Sequence, residues 1–557
     1  MAKLKDFYDV IVIGGGCTGT GVARDCSMRG LRTLLVEKRD FAGGTTGACM
    51  GMIHGGIRYL LYDVETTRVS CLDSGYIQRI APHLLFRIPF LTPVMKGDPF
   101  NAEMVETFFE AYDRFVHLKR GKKHTRLTRE EALEIEPGLS SEITGAVASD
   151  EWGINPFRLC VANALDAAGR GADVSNYTET VSIAREGRRV RGVRLRDVLG
   201  GGERDVRASI VVNAAGPWAP KVAALAGIAV KLRPTKGINI FFERRITSVA
   251  VSADTIDGRN ILLMPHENST MLGCTDDDFY GDLDHLTATH DEIEYLLQAA
   301  ERVFPSIRSH RIIRVMAGVR PTLYSWRRIE DKLSRDFEVR DHAATDGVEG
   351  FISVIGGKLA MYRLMAEKAT NLVCAKTGVE AECRTHLEPL TGGGEPPDTE
   401  ALAAGYSLPL YAVRRLAFRH GANCAEVLKL ARGEPRLANL ICRCEPVTAA
   451  EIVYCVRKEM ARTLDDVRRR TNLGCGPCQG ARCAFKAAIL LARERGDPPG
   501  AAREHAAAFL QRRWKGKFPA LRGEQLAQEE LNQGTYFTAG NLHEALREED
   551  FLRGHRL

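Results

Sequence analysis

The chain has 557 residues, 45% of them hydrophobic and 27% charged, which is the balance of a folded enzyme of roughly two to four domains and excludes a disordered or fibrous chain. Its 77 basic and 71 acidic residues leave a net charge of only +6, with no basic run interleaved with aromatics, so nucleic acid is not an expected partner. Fifteen cysteines without a secretory pattern point to a reducing compartment, the cytoplasm, where regular cysteine spacing means metal or catalysis.

The first element predicted is an apolar strand, Val10 to Ile13, leading into Gly14, Gly16 and Gly19 in G-x-G-x-x-G spacing. A helix closed by Gly30 follows, and then a second strand, Thr33 to Val36, that ends on Glu37. The glycines permit a tight turn and close backbone approach. The helix N-terminus offers free N–H groups to a pyrophosphate, and the acid accepts hydrogen bonds from a ribose diol. Strand, loop, helix, strand and acid in this order predict dinucleotide binding, but the loop by itself leaves FAD and NAD both open. The apolar run before the glycines is too short for a signal peptide, and no apolar stretch reaches the length of a membrane span.

Two later strand-to-glycine turns have the same grammar. "ASIVVNAAGPWAP" carries a buried strand into Asn213, Ala214, Ala215 and Gly216, and "GFISVIGGKLAMYRLMAEKA" carries one into Gly356 and Gly357 and then a helix. Strands returning from so far along the chain predict a discontinuous domain folded around its cofactor.

Near the other end, Cys442 and Cys444 form C-x-C, and Cys475 and Cys478 form C-x-x-C after thirty intervening residues. Four thiolates can hold zinc or an iron–sulfur cluster. Thr448 with Glu451, and Thr463 with Asp466, read as helix-capping pairs, and the apolar run after "CGPCQGARC" as a third helix. Cys483 falls outside the ligand spacing and is expected as a buried neighbour.

The motifs "GGTTGACMGMIHGGIRYL", "LGCTDDDFYGD", "AGVRPTL", "SRDFEV" and "GGKLAMYRLMAE" occur in the order seen in one family, over nearly the whole chain to about residue 390. They resemble the FAD-dependent glycerol-3-phosphate dehydrogenases. With the four-cysteine tail, the resemblance is to the branch that forms the large catalytic subunit of the anaerobic three-subunit bacterial enzyme. The chain departs from the family in having Cys274 before Thr275, where Thr-Thr is common, and in a flavin loop that lacks the serines of the aerobic enzymes.

The resemblance implies an α/β, Rossmann-like fold with two dinucleotide-binding parts, of the glycine-oxidase and D-amino-acid-oxidase type. An α+β substrate domain would be inserted, supplied mainly by about 86–150 and 236–315, within an FAD-dependent body of 1–390. A helical linker, 391–435, would lead to a bacterioferritin-associated-ferredoxin-like [2Fe–2S] domain at 436–495, and 496–557 would pack on the body or a partner. The implied FAD contacts are Gly14, Gly16, Gly19, Glu37, Lys38, Thr45, Thr46, Val181, Ala214, Gly216, Gly356, Gly357, Lys358 and Leu359. His54 is the expected base, since imidazole titrates near neutrality. Arg58, Thr275, Arg320, Arg335 and Lys358 are expected around a substrate phosphate, which guanidinium forks match well. The implied activity is oxidation of sn-glycerol 3-phosphate to dihydroxyacetone phosphate. Electrons would leave FAD through the cluster to partner electron-transfer and membrane-anchor subunits and then quinone, which places the chain at the inner face of the membrane. The rival readings are a flavin enzyme for amino or hydroxy acids and a non-catalytic electron-transfer subunit.

Overall fold

The computed structural model describes residues 4–61, 63–326 and 333–542. The part of the expected C-terminal tail from 543 to 557 therefore lies outside the described residues.

The first strand, Phe7–Ile13, lies at the centre of an eight-stranded sheet. On one side it pairs in parallel with Thr33–Val36, which in turn pairs with Asp173–Ser175. On the other it pairs in parallel with Glu203–Asn213, beyond which stand Phe351–Gly356 and then the antiparallel strand Phe337–Asp341. The two distant strand-to-glycine segments thus enter the same sheet as the first glycine loop, as the sequence predicts. Val10, Ile11 and Val12 have no exposed surface, because helices and the hairpin Thr178–Glu186/Arg189–Asp197 cover the two faces of this central region. Helix Cys17–Met28 packs on helix Tyr362–Thr377 at a point so close that a Cβ on Gly21 would stand 3.1 Å from the Ala366 Cβ.

The second sheet has nine strands and draws on two separated stretches of chain, from Leu85–Met95 to Ile143–Ile154 and from Thr235–Phe242 to Ile312–Arg320. Ile312–Arg320 and Thr235–Phe242 pair antiparallel with Arg320 opposite Thr235 and Arg314 opposite Phe241. Residues two apart on a strand share a face, so Arg314, Met316, Gly318 and Arg320 line one side of it. That strand therefore has Arg320 at the end near the first sheet and Arg314 at the end near the cysteine-bearing unit.

The region from 399 to 542 is mainly helical, with one short antiparallel pair, Leu440–Cys442 and Val447–Thr448. Helices Thr399–Gly405, Leu410–His420 and Cys424–Gly433 precede Ala449–Lys458, Leu464–Thr471 and Ala484–Arg495, and Ala501–Lys517 and Gly523–Ala539 follow. Thr463 and Asp466 form the full reciprocal cap. At Thr448 only half of the expected cap exists: its hydroxyl accepts the Glu451 N–H, but the Glu451 carboxylate is taken by Arg419 and His420. Buried ion pairs hold this region to the body, Arg158 with Glu459 at 2.7 Å and Arg470 with Asp40 at 2.8 Å. Among the described residues, no helix is long and apolar enough to cross a membrane.

Candidate functional site: two joined cavities and a cysteine cluster

A cavity of about 630 Å³ opens at the carboxyl ends of the central strands, where ligands of open α/β sheets bind. Gly14 adopts φ +114°, and a Cβ on Gly19 would stand 1.9 Å from the Gly14 carbonyl oxygen, so the turn admits only glycine at these points. Gly19 supports the loop from behind, whereas the other residues expected at the cofactor all line the cavity: Gly14, Gly16, Glu37, Lys38, Thr45, Thr46, Val181, Ala214, Gly216, Gly356, Gly357, Lys358 and Leu359. Val181 reaches it from an irregularity in strand register between Thr180 and Ser182. Glu37 accepts hydrogen bonds from the Gly15 and Arg39 N–H groups at 2.6 and 2.8 Å, which fixes its carboxylate at the end of the second strand. Lys38 donates to Asp284 and lies 4.8 Å from the Trp218 ring, an aromatic wall of this cavity that no sequence motif singles out.

A second cavity of about 530 Å³ adjoins the first and shares Thr45, Cys49, Pro321, Gly357, Lys358 and Leu359 with it. His54, Arg58, Arg320, Arg335 and Lys358 come together here from four separated segments. Lys358 is the N-cap of a short turn, Leu359–Met361, that runs into helix Tyr362–Thr377. Its ammonium donates to the His54 carbonyl at 2.9 Å, and burial lowers its pKa. His54 is held neutral: burial, then the positive charges of Lys358, Arg58 and Lys119, push its pKa well below 6.5.

The arginines are held by a residue that sequence reasoning misses, although it stands inside "LGCTDDDFYGD". Asp276 accepts from Arg320 Nη1 at 3.0 Å through one oxygen and from Arg335 Nη2 through the other. Arg320 Nη2 also donates to Cys274 Sγ at 2.8 Å and to the Thr275 carbonyl at 3.0 Å. Arg335 is 6% exposed and donates further to Thr322 Oγ1. The Thr275 side chain does not reach the cavity as expected; its hydroxyl is turned into the sheet, where it accepts the Ile238 N–H at 3.1 Å. Tyr59, also missed, lines the cavity between Arg58 and Lys358, whose charges with that of Arg335 outweigh burial and bring its hydroxyl down to about 8.

The family model "FAD dependent oxidoreductase" matches residues 9–363, and "C-terminal domain of alpha-glycerophosphate oxidase" matches residues 383–496. The A subunit of the anaerobic glycerol-3-phosphate dehydrogenase of Escherichia coli (strain K12) is 36% identical over 535 residues, which cover 95% of this chain and 96% of that one. The chain belongs to the FAD-dependent glycerol-3-phosphate dehydrogenase family. A glycerol-3-phosphate dehydrogenase of Mycobacterium leprae is 33% identical over 504 residues, with 87% of this chain and 84% of that one covered. The glycerol-3-phosphate dehydrogenase of Bacillus halodurans, solved with FAD, superposes with a TM-score of 0.74 at 26% identity, covering 93% of this chain and 97% of its own. Glycine oxidase of Geobacillus kaustophilus, at 21% identity and a TM-score of 0.52, covers 70% of this chain and 99% of its own, and shares the fold.

FAD, the cofactor of this dehydrogenase family, fits the first cavity. The glycine cradle leaves no room for a Cβ, the N-terminus of helix Cys17–Met28 faces a pyrophosphate position, and a carboxylate stands at the end of the second strand.

Among the described residues, no three or more His, Cys, Asp or Glu side chains form a group that could hold a metal ion. Cys444 and Cys478 lie with their sulfurs 3.8 Å apart, and Cys442 is buried at the end of strand Leu440–Cys442. The neighbouring Cys483 thiol, then the N–H groups of Gly474, Glu445 and Cys444, lower the Cys442 thiol despite burial, while Cys483 is pushed up. Cys475, three residues before Cys478, accepts a hydrogen bond from Arg314 at 3.3 Å. Cys483, at the N-cap of helix Ala484–Arg495, is 1% exposed, the buried neighbour expected of it. Arg314 is held from its other side by the Phe241 ring at 3.9 Å.

Proposed function

We propose that the protein oxidises sn-glycerol 3-phosphate to dihydroxyacetone phosphate. The observation that carries this reading is the pair of guanidinium forks, Arg320 and Arg335, aligned on one carboxylate in the cavity that adjoins the FAD site. A phosphate dianion needs several cationic donors, and Arg58 and Lys358 add two more to this cavity. When bound, FAD supplies the hydride acceptor.

In this reading Arg320 and Arg335 hold the phosphate and so fix the distance of the carbinol carbon from the cofactor end of the cavity. His54, kept neutral by its surroundings, receives the hydroxyl proton. Lys358 and the turn it caps place positive charge and free N–H groups where negative charge develops on reduction. Tyr59 stands between two of the cations and completes the wall beside the reacting carbon.

For the electron exit we favour a [2Fe–2S] cluster held by Cys442, Cys444, Cys475 and Cys478, with the Arg314 N–H as a hydrogen-bond donor to the Cys475 sulfur. An all-thiolate quartet suits iron–sulfur ligation, and the backbone N–H groups directed at Cys442 support a thiolate. Relatives that are named as one subunit of an anaerobic enzyme suggest that other subunits take the electrons onward to quinone and hold the chain at the inner membrane face. Domain limits of 1–390, 391–435, 436–495 and 496–557 belong to the same proposal. The test is anaerobic purification followed by cofactor analysis and mixing with glycerol 3-phosphate. About one FAD and two irons per chain, with flavin bleached by this substrate, support the reading. A bleached flavin with zinc and no iron would remove the cluster and leave the dehydrogenase.

A further inference from the structure

The cavity with the arginines also contains a charge of the opposite sign. Glu151, on strand Ile143–Ile154, lines it and is 8% exposed. Its Oε1 accepts from the Tyr112 hydroxyl at 2.6 Å and from Lys119 Nζ at 2.6 Å. Among the described residues its Oε2 is buried and has no hydrogen-bond partner.

The support behind this carboxylate is built from several elements. Lys119 has no exposed surface and also donates to the Asp150 carbonyl at 2.9 Å. It is delivered by the turn His117–Lys119 at the end of helix Ala102–Val116. Helix Val64–Ile80 presses on that turn so closely that a Cβ on Gly75 would stand 2.1 Å from the Leu118 carbonyl oxygen. Tyr112 comes from the same helix as the turn, and burial, then Glu151, push its phenol well above 10, so it remains a donor. A buried carboxylate with one oxygen fully supported and the other without a donor is a polar group waiting for a ligand.

We propose that Glu151 reads the terminal, non-reacting hydroxyl of a three-carbon polyol phosphate and rejects ligands that end in a carboxylate. This rests on the substrate reading given above. An ionised carboxylate can only accept, and the cavity's arginines and Lys358 can only donate, so they cannot take a hydroxyl hydrogen. Asp276 is the other carboxylate of the cavity and is occupied by Arg320 and Arg335. Asn239 also presents a buried oxygen without a partner, but its amide carries donors as well and does not discriminate between a hydroxyl and an acid. The Lys119 charge neutralises Glu151 locally, so a phosphate at the arginine end is not repelled. A ligand carboxylate at the Glu151 end would place acceptor against acceptor.

The probes are glycerol 3-phosphate, propane-1,2-diol 1-phosphate, which lacks only the terminal hydroxyl, and 3-phosphoglycerate, which has a carboxylate there. Flavin bleaching under anaerobic conditions gives kcat/KM for the first two, and perturbation of the oxidised flavin spectrum gives binding of the third. Wild type should prefer glycerol 3-phosphate over the deoxy probe by about tenfold or more, as expected for a hydrogen bond to a charged group. In Glu151→Gln the amide oxygen stays with Lys119 and Tyr112, which puts an NH₂ donor where Oε2 was. The hydroxyl can then only accept from a neutral amide, so the preference should fall by about threefold or more, and 3-phosphoglycerate should bind about tenfold more tightly than to wild type. If that variant does not retain FAD, Lys119→Met/Glu151→Gln, which leaves no unpaired buried ammonium, takes its place with the same expected swap. Equal use of the two polyol phosphates by wild type overturns the proposal without any variant. So does an unchanged preference in the variant, or a loss shared equally by all three probes. A wild type bleached by neither polyol phosphate overturns the substrate reading itself.

Discussion

Arg320→Ala is the perturbation whose size follows most directly from the geometry. The guanidinium has five N–H donors. Among the described residues, Asp276, Cys274 and the Thr275 carbonyl engage three of them, at 3.0, 2.8 and 3.0 Å. Nε–H and one Nη1–H are left to face a ligand. Two hydrogen bonds to a phosphate at about 1.5–3 kcal/mol each would give an upper range near 3–6 kcal/mol. Arg335, Arg58 and Lys358 remain in the cavity and recover part of this, so the expected loss in kcat/KM is about 2–4 kcal/mol, or roughly thirty- to a thousandfold. Arg320→Lys should lie between wild type and alanine, because it restores a charge without the fork. The assay is anaerobic stopped-flow of flavin reduction against glycerol 3-phosphate concentration, with FAD content measured for each variant. An alanine variant that retains FAD and stays within threefold of wild type would refute the phosphate assignment.

Other outcomes are expected from the same structure. His54→Ala should retain FAD and bleach it about a hundredfold more slowly, as loss of a general base requires, and rescue by added imidazole would reinforce the assignment. Cys475→Ser should lose cluster iron whereas Cys483→Ser should retain it, since Cys483 lies outside the ligand spacing; the reverse pattern in iron analysis would move the ligand set to Cys483. Glu459→Gln should loosen the C-terminal region by about 3–5 kcal/mol, the cost of breaking a buried pair, read as earlier protease cleavage or denaturant unfolding of that region. Burial raises the pKa values of Glu459 and Asp40, but Arg158 with His420 and Arg470 with Arg469 bring both below their ordinary values. Their contribution to stability is therefore complete above the unfolded carboxylate range and is lost only as pH falls through the lower folded values. Unfolding monitored by denaturant should show this part constant from pH 8 to about 5 and declining below about 4.

The first glycine loop was legible because its chemistry is local: strand, turn, helix and acid follow one another within a single unit, and the two later glycine turns repeat the pattern. His54, Arg58, Arg320, Arg335 and Lys358 could be named only through the resemblance, because nothing in their spacing brings them together; two sheets with non-sequential strand order do so. Asp276 and Tyr59 stand inside recognised motifs but escape notice because an anchor for other side chains has no spacing rule. Glu151 was invisible for a stronger reason. Its role depends on Lys119 and Tyr112, which are delivered by a helix and turn packed from another part of the chain. The cysteines show the limit of spacing. A C-x-x-C pair suggests two neighbours at one centre, and Gly476 approaches Cys444 so closely that an added Cβ would stand 2.4 Å from the Cys444 Cβ; that Arg314 of the body donates to Cys475 is something no spacing rule reveals. Cys483, five residues after Cys478, stands at the N-cap of helix Ala484–Arg495 and is buried, as its place outside the spacing predicts.

The central claim is that the two joined cavities bind FAD and a polyol phosphate for hydride transfer. Its most direct measurement mixes the purified, FAD-loaded protein anaerobically with glycerol 3-phosphate, glycerol, glycine and a small hydroxy acid in separate reactions, and follows the flavin absorbance. The account predicts rapid bleaching by glycerol 3-phosphate, with dihydroxyacetone phosphate formed in equal amount to reduced flavin, and little or no bleaching by the other three. A flavin left oxidised by glycerol 3-phosphate but bleached by glycine or the hydroxy acid would contradict it.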